Sequence, residues 1–270
     1  MVFLFPSYPY STLVDEDFKE ELEFIRSKTI NQIALYDVEQ PLKLHRKVEN
    51  QNVIYRGWML DEKQYKNLEA TVSRKGGNLL TKYEDYFNFH YINNWYETLK
   101  KFTFETKIFN SIEDLQSHLE ENPLNEKVVV KDFVKTLTTS RNSFASTNEE
   151  VFEIIKEMKK YTSELRGGIV LRKFDEYLQP ETEERFFIFN NEVIANKGIP
   201  TIINEIVKKL NHSGLYTIDI VKCKNNEYKL VEVGDGQVSS LKENKIIDFY
   251  KFFQIKGKTN DKIKTLPRNY

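Results

Sequence analysis

The sequence holds one cysteine, Cys223. A single thiol excludes an intrachain disulfide, and a reducing, cytoplasmic setting is the expectation. Four histidines and that cysteine show no zinc-ligand spacing. Glycine (10) and proline (7) are scarce among the 270 residues, and neither repeats nor low-complexity stretches occur, so the chain is dense in regular structure. No apolar run approaches the roughly 20 residues needed to cross a bilayer. The opening Met1–Pro6 lacks a basic flank and stops at proline, so it reads as a buried strand and not as a signal segment. No charge of one sign dominates either. Forty basic residues meet 41 acidic ones, for a net charge of −1, and no global field selects nucleic acid or an acidic membrane.

What is present is a large stock of rings, 19 Phe and 15 Tyr, which favours sheet and helix–sheet packing. Strand-like runs Val2–Phe5, Gln32–Tyr36 and Asn52–Tyr55 alternate with helical patterns at Asp15–Ser27, Leu60–Arg74 and Thr81–Phe102. This predicts a small α/β unit over residues 1–101. Thr81-x-x-Glu84, Ser111-x-x-Asp114 and Thr147-x-x-Glu150 have the form of helix starts. Two Asn-Asn pairs, Asn190-Asn191 and Asn225-Asn226, each separate two strand-like runs and predict β-hairpins. The segment 102–170 then forms a central lobe and 171–255 a C-terminal lobe. A basic tail over 256–270 reads as a frayed, solvated end.

The second hairpin carries the first chemical signal. With Asn225-Asn226 as the turn, Asp219 faces Glu232, and Val221, Cys223, Tyr228 and Leu230 share their face. Two opposed carboxylates repel one another. Either a divalent cation holds them together, or the face is solvated and an acid pairs with a lysine. Lys131 interrupts the apolar strand Val128–Val134 and must reach an anion or solvent. Arg185 shares the face of Phe187, Phe189 and Ile194 in the first hairpin, opposite Asn196. That setting suits a fixed anion or an ion pair with Glu183 or Glu184. Arg172 and Lys173 end the apolar run Ile169–Leu171.

In order, these segments resemble the ATP-grasp superfamily. Val128-Val-Val-Lys-Asp-Phe133 is similar to its first nucleotide-lobe strand, Gly168-Ile-Val-Leu-Arg-Lys-Phe174 to the strand entering the adenine hinge, and Glu183-Glu-Arg-Phe-Phe-Ile-Phe189 to the strand with a phosphate-binding arginine. Tyr216-Thr-Ile-Asp-Ile220 and Leu230-Val-Glu-Val-Gly-Asp-Gly-Gln-Val-Ser239 resemble the two metal-ligand strands. Phe5-Pro-Ser7, Val14–Phe18 and Tyr55-Arg-Gly-Trp-Met-Leu60 resemble the N-terminal segment of a phage and bacterial subfamily. The resemblance implies an α+β fold, two lobes enclosing a cleft, with ATP and Mg²⁺ as ligands. It implies nucleotide contacts from Lys131, Lys135, Leu171, Arg172, Lys173 and Arg185, with Lys131, Arg172 and Arg185 catalytic. It places the metal on Asp219 and Glu232 and a second-substrate anion on Arg56. Two departures stand out: the 136–146 loop has hydroxyls but no glycine, and Gly234 stands where an Asn ligand is usual, with Asp235 or Gln237 as substitutes. The implied reaction is ligation, in which an acyl phosphate formed from ATP is attacked by an amine of a small molecule, peptide or protein. Joining or phosphorylation of RNA ends on the same fold is one alternative, with Lys100, Lys101, Arg141, Lys159 and Lys160 as phosphate contacts. A non-catalytic nucleotide-binding module is another.

Overall fold

The computed structural model describes residues 1–28, 32–37, 44, 48–134, 143–161, 167–174, 182–195, 198–242 and 244–263, with the side chains of the last helix followed as far as Gln254. Three four-stranded sheets organise them.

The first sheet is parallel. It comprises β1 (Val2–Pro6), β2 (Gln32–Tyr36), β3 (Asn52–Tyr55) and β4 (Asn78–Leu79) in the order β2-β1-β3-β4. Its strands are nearly continuous apolar runs because both faces are covered. Val2, Leu4 and Tyr55 pack toward α2 (Glu62–Arg74), whereas Phe3, Phe5 and Ile54 pack toward α1 (Lys19–Lys28). Asp61 caps α2 with a full capping box to Gln64. The Thr81-x-x-Glu84 pattern does not do the same. The next helix, α3 (Tyr83–His90), starts after Lys82 with no side-chain cap, and the Thr81 hydroxyl instead accepts the Leu215 N–H. Extended backbone at Tyr91 (ψ 116°) ends α3 and separates it from α4 (Ile92–Leu99), so one expected helix is two.

The central sheet runs β5-β8-β6-β7, built from β5 (Thr106–Phe109), β6 (Val128–Asp132), β7 (Phe144–Ala145) and β8 (Ile169–Lys173). Two helices, α5 (Ile112–Glu121) and α6 (Asn148–Tyr161), cover one face. Ser111 and Thr147 accept the predicted cap bonds from Asp114 and Glu150. The expected lobe boundary at 170/171 cuts through β8, which stays whole with this sheet.

The third sheet runs β10-β9-β11-β12, with β9 (Glu184–Phe189), β10 (Glu192–Ile194), β11 (Leu215–Lys222) and β12 (Tyr228–Asp235). Both asparagines of the first turn have positive φ (51° and 61°) and pair Phe189 with Glu192, as the turn chemistry requires. One face packs on α4 and on α7 (Thr201–Leu210) through Phe186, Ile188, Ile218 and Ile206. The other packs Phe187, Phe189 and Leu215 on the last helix, α8 (Ile246–Ile263). That helix runs on past Ile255, where a frayed tail was expected to begin.

The second hairpin departs from its expected register. Asp219 pairs with Glu232, but a bulge then shifts the ladder so that Ile220 pairs with Leu230 and Val221 with Lys229. Val231 is the extra residue. Leu230 therefore joins Ile220 in the core shared with α4 and α7, while Val221 and Cys223 pack with Phe104 on the other side. The four apolar residues expected on the carboxylate face are thus divided between two faces.

Candidate active site

Antiparallel partners share a face, and this sorts the charged residues of the central sheet. Lys131 pairs with Val170 and Arg172 with Val129, so both cations lie on the face away from α5 and α6. Leu171, partner of Val130, packs on those helices, and Lys173, partner of Val128, forms a surface ion pair with Glu126 at 2.6 Å. Both had been expected to contact nucleotide; their side chains point away from Lys131 and Arg172, which leaves only their main chain for that purpose. Lys135 and Asn196 lie outside the described residues.

The third sheet presents its charges toward that cationic face. Lys131 Nζ lies 3.6 Å from Glu232 Oε2, and Arg172 Nη1 donates to the Val231 carbonyl at 2.6 Å. Arg172 is 3% exposed, so its main-chain contact fixes the two sheets against one another next to the bulge. Burial pushes the Lys131 ammonium below its ordinary pKa and the Arg172 charge adds to this, while Glu232 opposes it.

Arg185 sits directly opposite Asp219 in the β9–β11 ladder. Its fork is bidentate, with Nε to Oδ1 at 2.7 Å and Nη2 to Oδ2 at 2.6 Å. Nη1 donates to the Ser240 carbonyl at 3.1 Å. Burial opposes the Arg185 charge, but Asp219 outweighs it and raises the guanidinium's pKa. The acidic partner is therefore Asp219, not Glu183 or Glu184. Glu183 instead accepts from Lys242 Nζ at 2.5 Å, and Lys242 also reaches Asp219 Oδ2 at 3.3 Å. Lys242 has positive φ (48°), rare for a lysine, and Asn244 ties its segment to the Arg185 carbonyl at 3.0 Å. Sequence reasoning missed Lys242; only its place shortly after the Gly234–Ser239 segment pointed to it.

The opposed carboxylates are thus held together by cations on both sides: Lys131 at Glu232, Arg185 and Lys242 at Asp219. A divalent ion also fits them. Asp219 and Glu232 are register partners, and the Glu232 side chain is one-quarter exposed. Among the described residues no three His, Cys, Asp or Glu converge as a closed metal cage. A pair of carboxylates sharing the ion with phosphate oxygens is the usual Mg²⁺ arrangement. Asp235 and Gln237 do not take the place of the absent Asn. Both are fully buried. Gln237 Oε1 accepts the Tyr55 N–H, its Nε2 donates to Tyr65 Oη, and Asp235 Oδ1 accepts the Gln237 N–H. Asp235 lies on the strand face opposite Glu232. Gly234 shares the Glu232 face, and a Cβ there would stand 2.9 Å from Thr217 Oγ1.

Arg56 is also reassigned. Its guanidinium is 1% exposed and fully engaged within the protein. Nε and Nη2 grip Glu21 at 3.0 and 2.7 Å, and Nη1 donates to the carbonyls of Gly236, Gln237 and Ser239 at 2.9–3.0 Å. The Tyr250 hydroxyl donates to the same Glu21 carboxylate. This arginine fastens α1 and the N-terminal sheet to the segment after β12, and no part of its fork is offered to a substrate anion.

A family model of the ATP-grasp domain, family 3 of its clade, matches residues 90–252, and so spans the whole site. The chain belongs to this ATP-grasp family. Solved structures share the fold over nearly the full chain. D-cycloserine synthetase DcsG aligns with TM-score 0.61 at 12% identity, covering 95% of this chain and 99% of that one. The ATP-grasp ligase PsnB, complexed with a phosphomimetic variant of its minimal precursor, Mg and ADP, aligns with TM-score 0.60 at 8% identity, covering 94% and 97%. D-alanyl-alanine synthetase A from Vibrio cholerae aligns with TM-score 0.57 at 9% identity, covering 95% and 97%. A search of curated proteins returned no match.

Proposed function

We propose that this ATP-grasp protein is an ATP-dependent ligase that activates a carboxylate as an acyl phosphate and passes it to an amine. The observation that carries the reading is the convergence of Lys131 and Arg172 from one sheet, and Arg185 from another, on the register pair Asp219–Glu232. Three buried or largely buried cations around two carboxylates suit a triphosphate and its metal. The chemistry then consists mostly of positioning and of neutralising phosphoryl charge.

Asp219 and Glu232 would hold one Mg²⁺, which when bound draws charge from the phosphate oxygens. Gly234 brings no ligand for a second ion. Lys131, Arg172 and Arg185 orient the triphosphate as a substrate carboxylate oxygen attacks the γ-phosphorus and ADP departs. Lys242 lies within reach of the same carboxylate as Arg185 and adds a fourth cation. In the second step the amine nitrogen attacks the acyl carbon and phosphate leaves. The synthetases and peptide ligase that share the fold support this class of reaction. The RNA-end reading loses support at two of its proposed contacts, since Lys100 and Lys101 are paired with Glu97 and Glu205. Among the described residues no helix is long and apolar enough to cross a membrane.

The test is incubation with labelled ATP and Mg²⁺, with either an amine-plus-carboxylate pool or an RNA pool. ADP formed with the first pool is the expected product. AMP and pyrophosphate appearing only with RNA would overturn the proposal. Asp219→Asn should abolish the Mg²⁺ dependence of ATP binding; an unchanged dependence removes Asp219 from the metal site.

A further inference from the structure

A cavity of about 1060 Å³ opens between α1, the Arg56–Trp58 turn and the 238–247 segment. It is continuous with the candidate active site, because Ser240 and Lys242 line it and also bind Arg185 and Asp219. Its charges are unevenly matched. Arg56 and Glu21 neutralise one another on its wall, and Lys242 is engaged by Glu183 and Asp219. Asp17, Glu20 and Glu23 then face a single remaining cation, Lys245, and all four are exposed.

A second, independent feature points to the same ligand class. Trp58 is 50% exposed, yet it is fixed in place. Its Nε1–H donates to Asp15 at 3.0 Å, and its ring meets Phe18 edge-on at 5.3 Å between centroids. A large aromatic surface is thus held rigidly open on the wall of an acidic cavity. An indole face attracts a cation through its quadrupole, and the nearby carboxylates attract it through their charge.

We propose that this cavity is the acceptor site and that it selects an amine carrying a second positive charge on an aliphatic stem, of the diamine or basic amino-acid type. Its role as acceptor site rests on the ligase reading; its preference for cations does not. The distal ammonium lies against Trp58, Glu20 and Glu23, and the reacting amine extends toward Ser240 and Lys242. As the free base, that nitrogen attacks the acyl-phosphate carbonyl. The carbon–oxygen bond to phosphate breaks, and the amine's proton leaves with the released phosphate. An anionic acceptor such as a phosphorylated RNA end is repelled by the same wall.

The test compares cadaverine with n-pentylamine, which has the same stem but one charge. Calorimetric titration is made into the full-length protein holding Mg²⁺ and a non-hydrolysable ATP analogue, alongside ADP release with ATP and a carboxylate pool. Cadaverine should bind about tenfold tighter, a preference of the size that one exposed cation–π contact with a carboxylate supplies. Glu20→Gln with Glu23→Gln, and separately Trp58→Leu, should erase the preference while the affinity for the ATP analogue holds. These side chains are exposed or half-exposed, and circular dichroism verifies their folding. Equal affinity for the two amines, no binding of either, or a preference surviving both variants overturns the proposal, even where ATP is turned over. A preference for cadaverine that the variants erase, without ADP release, upholds the cationic site and sinks the ligase reading alone.

Discussion

Replacing Arg56 by methionine separates a structural role from a substrate role. Methionine fills much of the same volume but donates nothing. The variant loses both bonds to Glu21 and the three to Gly236, Gln237 and Ser239. Glu21, 9% exposed, is then left with Tyr250 as its remaining partner in this network. Removing one member of a buried ion pair costs about 3–5 kcal/mol. A buried carbonyl left without its donor adds about 1 kcal/mol or more. A loss of about 4 kcal/mol or more is expected at pH 7, or a fall in Tm of roughly 8–16 °C for a chain of this size. The pH dependence supplies a second readout. Burial pushes the Glu21 carboxyl up, but the Arg56 charge and the bonds from Arg56 and Tyr250 outweigh it and hold it below its ordinary value. Its contribution is therefore present above the unfolded carboxyl pKa and is lost as pH falls through the lower folded value. Without Arg56, burial alone acts and Glu21 titrates above its unfolded value, so the variant's deficit should shrink as pH falls from 8 to 5. Adding Glu21→Gln should recover part of the loss. Denaturant unfolding across that pH range is the assay. A loss under about 1 kcal/mol, or a deficit constant with pH, refutes the buried clamp and returns Arg56 to the substrate.

Lys131→Met should weaken ATP binding at least tenfold by calorimetry while leaving Tm unchanged or higher, because burial disfavours the lysine charge in the free protein; a Tm fall matching the affinity loss would point to a structural role. Gly168→Ala should destabilise by about 1–3 kcal/mol in denaturant unfolding, because the new Cβ would lie 2.3 Å from the Phe109 carbonyl oxygen and 2.6 Å from the Phe133 ring; a neutral result would mean that β8 can shift. Burial pushes the Asp235 carboxyl up to about 8, against bonds from Gln237. A raised carboxyl favours folding at low pH, and that contribution is lost as pH climbs toward the folded value. Asp235→Asn should therefore gain Tm over the parent between pH 5 and pH 8.5; a Tm difference that does not grow with pH refutes this account.

Much of the site was legible because its key pair is local. The turn at Asn225-Asn226 places Asp219 opposite Glu232 by strand counting, and the bulge at Val231 falls on the turn side of that pair and leaves it intact. The same bulge spoiled the prediction for Leu230, since the side-chain period of two turns one inserted residue into a change of face. Lys131 stood out as a charge in an apolar strand, and pairing with β8 puts it on the same face as Arg172.

The amino-acid sequence alone determined the strands, the helix caps at Ser111 and Thr147, both asparagine turns and the Asp219–Glu232 opposition. Each of these follows from backbone preferences and periodicity within a short window. The tertiary structure decided which ions meet. Arg185 reaches Asp219 because β9 and β11 pair across α7, and Lys242 returns to the same carboxylate from beyond β12. Arg56 finds Glu21 35 residues earlier and three carbonyls about 180 residues later. A charged side chain is compatible in sequence with many counterions. Burial selects among them, because the packing of Phe3, Phe187, Phe249 and Tyr250 brings these elements together and excludes the water that would otherwise solvate the charge.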